Sequence, residues 1–212
     1  MSIFKPFRFI SKHAIECEAL NILESMKACP NYAPKFPLDA SRVAEFLELD
    51  VVWDDIPNDE EGLIAARILP LERLIEINEN IPQLHNGLGE STIAHEIGHW
   101  ILHINVPKVD RAIALTQKGI TIPVEPLLCR SIENLHGIEW QAQYFASCLL
   151  MPRYILQEVQ QHKDLTQWRN LYDIAEQLGV TISNLVHRLK DLNWIEIVED
   201  SRQIKQKALE RI

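Results

Sequence analysis

Apolar residues at helical spacing predict two helices in the N-terminal part of the chain. Residues 13–28 form the first, and its buried face is expected to carry Ala14, Ile15, Ala19, Leu20, Ile22 and Leu23. Three prolines between residues 29 and 38 predict a loop. Asp39 then caps a second helix that ends near Leu47.

Three short stretches that follow are rich in aliphatic residues and predict strands. They cover residues 51–53, 63–69 and 73–78. Apolar and charged positions alternate in the last two, as they do in a sheet with one buried face. We also predict that 73–78 lies at a sheet edge, where a bound peptide would add as another strand.

Helical periodicity returns in the second half of the chain. The predicted helices cover residues 91–104, 138–152, 152–162, 165–178 and 181–191. Gly179 separates the last two, and this spacing resembles a helix-turn-helix. The charged tail at 199–212 is predicted to be helical or frayed.

Composition narrows the class of protein. Hydrophobic residues make up 47% of the chain and charged residues 24%, which is typical of a globular protein. No apolar run approaches the 18 residues of a membrane span. The four cysteines form no CxxC pair and are expected to be reduced thiols, which favours a cytoplasmic location. The net charge of −9 disfavours direct binding to nucleic acid.

The sequence HEIGH at residues 95–99 carries the clearest chemical signal. On a helix, His95 and His99 lie on one face about 6 Å apart and can hold one zinc ion. Glu96 lies beside them, where it can take a proton from a water molecule. This spacing is typical of zinc metalloproteases. The alternative is a buried helix with two incidental histidines, although burying these polar groups unpaired would be costly.

A catalytic zinc ion needs a third protein ligand. His103 is excluded because it lies about 12 Å along the helix from His95, whereas two ligands of one zinc lie about 4 Å apart. Glu139, in the first turn of the predicted 138–152 helix, is the best candidate. Its alternative role is that of a helix N-terminal acid without a ligand function. Gln143, one turn later, can orient a ligating histidine.

These motifs resemble the ImmA/IrrE family of metallo-endopeptidases. HEIGHWILH at 95–103 is similar to the zinc-motif helix of the family. EWQAQYFASCLLMP at 139–152 is similar to its second helix, Glu-x-Glu-Ala-Asn-x-Phe-Ala-x-x-Leu-Leu-Met-Pro. Two positions depart from that pattern, since Gln141 replaces the second Glu and Gln143 replaces the usual Asn or Asp.

The resemblance extends over about four fifths of the chain. Residues 13–49 look like the family's N-terminal helix pair, 73–78 like the strand before the active helix, and 171–197 like its C-terminal helix-turn-helix element. It implies an α+β fold with a zincin-like peptidase core over residues 1–162, built from a small sheet, the HExxH helix and the Glu-bearing helix. A helical, helix-turn-helix-like C-terminal region is expected over residues 163–212.

The resemblance also implies the roles of the site residues. His95, His99 and Glu139 would bind Zn²⁺, and Glu96 would be the catalytic base. The developing oxyanion needs a further hydrogen-bond donor. The sequence leaves its identity open among His136, Tyr144, Arg153 and Tyr154.

The expected function is that of a zinc-dependent cytoplasmic endopeptidase. The resemblance implies a protein substrate, a helix-turn-helix transcriptional repressor whose cleavage releases its target genes. The alternative is a non-catalytic, zinc-stabilised regulator that binds a repressor or DNA. The retained Glu96 favours the enzyme, because a structural zinc site needs ligands but no base. A direct DNA-binding factor is disfavoured, because acidic residues slightly outnumber basic ones in residues 171–212.

Two further hypotheses concern the stretch between the zinc helices. Residues 105–137 predict a helix near 109–117 and an extended piece near 119–124. Because long connections in compact domains are often functional, we expect this stretch to overlie the cleft and tune substrate entry. Cys129 within it is expected to be an ordinary buried cysteine, the alternative being an inhibitory thiolate that masks the zinc.

Overall fold

A computed structural model of the chain describes residues 2–60, 62–81, 88–130, 137–161, 163–198 and 201–207. The helices of these residues are α1 Lys12–Ala28, α2 Ala40–Phe46, α3 Leu88–His103, α4 Val106–Thr116, α5 Ile138–Leu150, α6 Arg153–Gln160, α7 Trp168–Gln177 and α8 Ile182–Asp191. The strands are β1 Asp50–Asp54, β2 Ile64–Leu69, β3 Leu74–Asn78, β4 Leu127–Arg130, β5 Ile195–Ile197 and β6 Ile204–Gln206.

Both N-terminal helices begin at a residue whose side chain caps the helix, and the cap at Asp39 is the one predicted. The side chain of Ser11 accepts a hydrogen bond from the Ala14 amide, and that of Asp39 accepts one from the Arg42 amide. The buried face of α1 consists of Ile15, Ala19, Ile22, Leu23 and Met26. Ala14 and Leu20, both predicted to be buried, are exposed.

Four strands form a mixed sheet in the order β1-β3-β2-β4. β1 runs parallel to β3, whereas β2 is antiparallel to both β3 and β4. Since β3 is paired on both sides, the prediction that residues 73–78 lie at a sheet edge is wrong. Of the described strands of this sheet, β1 and β4 are the outer ones.

Helices α3 and α5 pack closely because a glycine lies where they cross. A Cβ atom on Gly98 would lie 2.9 Å from the backbone oxygen of Ala142 and 3.1 Å from the Phe145 ring. Only glycine permits this approach of two backbones. Ile93, Ile97 and Phe145 are fully buried around the contact. The two helices that carry the predicted ligands are therefore held side by side.

The C-terminal part contains a short hairpin as well as helices. β5 pairs with β6 in antiparallel register, so the tail predicted to be helical or frayed contains a strand at 204–206. Helix α8 docks on the rest of the protein through Arg188, which is fully buried. Its guanidinium donates hydrogen bonds to Glu16 at 2.7 Å and to the backbone oxygen of Met151 at 3.2 Å.

The stretch 105–137 supplies two elements. Its helix α4 begins at Val106, slightly earlier than predicted. The predicted extended piece at 119–124 forms no strand, and the strand β4 begins at Leu127 instead. β4 adds to the sheet beside β2. The stretch therefore contributes an outer strand to the sheet in addition to a connection.

The predicted α+β class is confirmed by these helices and the small mixed sheet. The zincin-like core and the helix-turn-helix-like character of the C-terminal region stay predictions, as does the boundary at residue 162. Buried side chains from both sides of that boundary, such as Leu156 and Leu185, belong to one hydrophobic cluster. No helix in the described part of the chain is long and apolar enough to cross a membrane.

Candidate metal centre

Three predicted ligands converge between α3 and α5. His95 and His99 lie one turn apart on α3, and their Nε2 atoms are 3.0 Å from each other. The Glu139 carboxylate reaches them from the first turn of α5. Its oxygens lie 3.1 Å from His95 Nε2 and 3.3 Å from His99 Nε2. The two nitrogens and the carboxylate therefore point at one small volume.

The electrostatics of the three groups match this convergence. Burial alone would raise the pKa of Glu139, but hydrogen bonds to His95 and His99 outweigh it and hold that pKa well below its usual value. Burial would likewise lower the pKa of His95, but the hydrogen bond to Glu139 outweighs this effect and raises it. Each partner thus stabilises the charged form of the other.

Glu96 lies beside these ligands and is fully buried. Among the described residues, neither of its carboxylate oxygens has a hydrogen-bond partner. Burial raises the pKa of this carboxyl, and the nearby His95 and His99 only partly oppose the effect. Burying a carboxylate without a protein partner costs free energy, which marks Glu96 as a candidate functional group.

Cys129, on the outer strand β4, lies next to Glu96. Its sulfur, a His95 ring nitrogen and a Glu96 oxygen all lie within 4.8 Å of one another. Burial, together with the charge of Glu96, raises the pKa of the Cys129 thiol well above its usual value. The uncharged thiol is therefore favoured, as expected for an ordinary cysteine.

The remaining predicted site residues have different positions. Gln143 Oε1 lies 3.3 Å from His95 Nδ1, where it can orient that ring. Tyr144 contacts Arg188, with its hydroxyl 3.4 Å from Arg188 Nη1. Tyr154 packs edge-on against Phe36. The contacts of the described residues do not join either tyrosine to the three ligands.

Of the two other oxyanion candidates, the structure describes Arg153 only. The Arg153 guanidinium lies 3.4 Å from Glu16, on the same side of the protein as Tyr154. His136 lies outside the described residues. The identity of the oxyanion donor thus stays a prediction.

Sequence reasoning missed a role for His103 and Gln141. His103 is too far along α3 to share an ion with His95, and it belongs to neither of the metal-binding groups found among the described residues. Its Nδ1 instead lies 3.0 Å from His99 Nδ1, and its Nε2 lies 2.9 Å from Gln141 Oε1. The signal was the continued i+4 spacing from His99 to His103, which places both rings on one helix face.

The donor set fits zinc. Two imidazole nitrogens and one carboxylate are a common ligand set of catalytic zinc sites, which keep a fourth position open. Each of the three side chains is held by its helix, and Gln143 or His103 contacts the far nitrogen of each imidazole. The unpartnered Glu96 carboxylate lies beside this set without belonging to it.

Comparison with known families matches residues 133–190 to the model of the peptidase M78 family, described as the IrrE N-terminal-like domain. The resemblance to the ImmA/IrrE family is confirmed over this stretch. The match covers about a quarter of the chain and includes Glu139, Gln143 and all but the last residue of helix α8. It begins after the HEIGH motif at residues 95–99, so the roles of those residues rest on the geometry above. A metallopeptidase is the kind of protein that this match indicates.

Other comparisons add little. No curated protein matches the chain. Among solved structures, a Mycobacterium tuberculosis transcriptional regulator is 15% identical with a TM-score of 0.41. The alignment covers 91% of this chain and 48% of that one, so the present chain spans about half of its length. A likeness at this level carries no argument about fold or function.

Proposed function

We propose that this protein is a zinc-dependent endopeptidase that hydrolyses a peptide bond in a regulatory protein inside the cell. The observation that carries the proposal is the pairing of a three-ligand group with an unpartnered, fully buried carboxylate beside it. A structural zinc site closes its fourth position with another ligand and needs no base. His95, His99 and Glu139 are the proposed ligands, and Glu96 is the proposed base.

The chain's own residues divide the chemistry between them. Bound zinc would lower the pKa of water towards about 7 and polarise the peptide carbonyl. Glu96 would take the proton from the attacking water and deliver it to the leaving amine. The raised pKa of its carboxyl suits this exchange, since a carboxylate at its ordinary pKa is a weaker base near neutral pH. Gln143 would keep the His95 ring in place.

The substrate strand is proposed to lie along β4. Because β3 is paired on both sides, it has no free edge for a peptide, whereas β4 has one described neighbour, β2. The sulfur of Cys129 on β4 lies within 4.8 Å of a Glu96 carboxylate oxygen. A peptide added to this edge would run past the base. The expectation that residues 105–137 tune substrate entry thus becomes more specific.

The proposed substrate is a helix-turn-helix transcriptional repressor, as the family resemblance implies. The outer position of β4 and the convergent ligand group support a peptide substrate. The alternative is a regulator that binds a repressor and uses zinc for stability only. The two differ in one prediction, since only the peptidase requires Glu96.

The test is a cleavage assay with the helix-turn-helix repressor encoded nearest to this gene. The zinc-loaded wild type, Glu96→Gln and Glu158→Gln are each incubated with the repressor, and intact masses are recorded. Glu158 is an exposed glutamate on α6, so its substitution is a matched control for the loss of one carboxylate. We expect two fragments with the wild type and Glu158→Gln and none with Glu96→Gln.

Zinc content and repressor binding are measured on the same samples. Because Glu96 is outside the ligand group, Glu96→Gln should retain zinc and still bind the repressor. Equal cleavage by Glu96→Gln would refute the role of the base. Binding without cleavage by every sample, wild type included, would favour the zinc-stabilised regulator.

A further inference from the structure

A buried chain of hydrogen bonds runs from the proposed ligand His99 to the N-terminal segment of the protein. His99 Nδ1 lies 3.0 Å from His103 Nδ1, and His103 Nε2 lies 2.9 Å from Gln141 Oε1. Gln141 Nε2 donates to the backbone oxygen of Arg8 at 2.9 Å. His99, His103 and Gln141 are 1%, 7% and 1% exposed, so bulk water cannot readily replace these partners.

The hydrogen bond at Arg8 sets the donor and acceptor of every other hydrogen bond in this series. A backbone carbonyl can only accept, so the Gln141 atom that faces Arg8 must be the amide nitrogen. The amide oxygen of Gln141 therefore faces His103, and His103 Nε2 must carry a proton to donate to it. In neutral His103 the other nitrogen, Nδ1, then has a free lone pair.

The lone pair on His103 in turn fixes the tautomer of His99. Since His103 Nδ1 accepts, His99 must carry its proton on Nδ1 and donate it. His99 Nε2 is then left with its lone pair, and this nitrogen is the one that lies 3.3 Å from Glu139 Oε1 at the convergent ligand group. The opposite tautomer of His99 would direct an N–H bond at the place of the metal.

The N-terminal segment that contains Arg8 is itself held to the end of α3 by hydrogen bonds. The Lys5 amide donates to the backbone oxygen of His103 at 2.8 Å, and the Asn105 amide donates to that of Ile3 at 2.8 Å. Phe4 and Ile104 form an isolated antiparallel bridge. Two backbone hydrogen bonds therefore fix the segment beside His103, three residues before Arg8.

We propose that His103 and Gln141 are positioning residues that hold His99 in its metal-binding tautomer. The Arg8 carbonyl fixes the orientation of the Gln141 amide by accepting a hydrogen bond from it. They touch neither substrate nor metal and act only through His99. The inference rests on the proposed zinc site. It adds a function for the one active-helix histidine that is not a ligand, and for a glutamine at the position where the family pattern has glutamate.

The decisive variants are His103→Asn, His103→Leu and Gln141→Met. Asparagine places an amide oxygen close to the position of His103 Nδ1 and can still accept from His99. Leucine fills a similar volume but accepts nothing. Methionine at 141 keeps the length of glutamine without its hydrogen bonds. Zinc dissociation constants are measured by chelator competition, and the melting temperature of each zinc-free protein shows whether it is folded.

We expect His103→Leu to weaken zinc binding about 10- to 100-fold, the usual cost of losing a partner of a metal-ligating histidine. Gln141→Met should weaken it about tenfold, and His103→Asn should stay within about threefold of the wild type. Equal losses in His103→Asn and His103→Leu would reduce the role of His103 to packing and overturn the proposal. So would unchanged affinity in His103→Leu and Gln141→Met.

Long-range ¹H–¹⁵N NMR of the zinc-loaded wild type provides a test that needs no variant. It should show His99 protonated at Nδ1 and His103 protonated at Nε2. A His99 ring bound to zinc through Nδ1, or a His103 protonated at Nδ1, would overturn the proposal even if the variants fail to fold. A wild type that binds no zinc would instead defeat the proposed function, so the two failures are distinguishable.

Discussion

Gly98→Ala tests whether the close contact of α3 and α5, which carry the proposed ligands, controls zinc binding at the proposed site. The added Cβ would lie 2.9 Å from the Ala142 oxygen and 3.0 Å from the Ala142 Cα, whereas ordinary contacts begin at 3.4 Å. Backbone atoms cannot rotate out of the way, so α3 and α5 must separate by roughly 0.5 Å. Glu139 would move away from His95 and His99 by a similar amount.

Two opposing effects set the stability of the zinc-free protein. Overpacking costs about 1–3 kcal/mol, whereas alanine gains about 1 kcal/mol over glycine inside a helix. The free energy of unfolding should therefore fall by about 0–2 kcal/mol. The free energy of zinc binding should change more than the free energy of unfolding, because zinc–ligand distances tolerate changes of only about 0.2 Å. We expect at least a tenfold weaker affinity, which corresponds to about 1.4 kcal/mol.

The assay combines chelator competition for zinc with urea unfolding of the zinc-free protein. Phe145→Leu in the Gly98→Ala background is the matched control. It removes the ring 3.1 Å from the new Cβ but leaves the Ala142 backbone in place, so it should not restore zinc affinity. Wild-type affinity in Gly98→Ala, or its recovery in the double variant, would refute the argument from backbone contact.

Further predictions concern other parts of the protein. Zinc at 100 times its dissociation constant should raise the free energy of unfolding by about 2.7 kcal/mol, and Glu139→Gln should remove most of this gain in calorimetry while leaving the zinc-free protein folded. Cys129→Ala should leave zinc affinity and cleavage rate within about threefold of the wild type, because its sulfur lies outside the convergent ligand group; a large rise in cleavage rate would instead identify an inhibitory thiolate. Burial alone would raise the pKa of Glu16, but Arg188 and Arg153 outweigh it and lower that pKa below the ordinary value of 4.5. The ionised Glu16 therefore contributes stability above pH 4.5, and this contribution is lost as the pH falls through the lower pKa of the folded state. Glu16→Gln should therefore lower the free energy of unfolding by about 3 kcal/mol at pH 7, since it leaves the buried Arg188 unpaired, and should flatten the fall in stability below pH 4.5; an unchanged pH profile would contradict this.

Local sequence was sufficient for most of the helices and for the pair of histidines on α3, and the family resemblance pointed to Glu139. The capping residues Ser11 and Asp39 act through atoms one turn away, so their effect is visible in a short window of sequence. The i+4 spacing of His95 and His99 is likewise a property of one helix. The position of Glu139 followed from its motif, and the structure brings it to 3.1 Å from His95.

The strand order depended on distant parts of the chain. Whether β3 is central or at an edge is decided by β1 and β2, which pair on either side of it. β4 pairs with β2 although it begins more than fifty residues after β2 ends, beyond α3 and α4. An alternating pattern reports that one face is buried but not which strands are neighbours, so the prediction for 73–78 failed.

The amino-acid sequence by itself determined which candidate groups are present: two histidines one turn apart on a helix, a glutamate next to the first of them, and a second glutamate at the start of another helix. Only the tertiary structure decided which polar groups support them. His103 and Gln141 lie 38 residues apart, and Arg8 lies 133 residues from Gln141, yet they form one buried chain of hydrogen bonds. Helical periodicity is set by neighbouring residues, whereas a buried polar group finds its partner wherever packing places one.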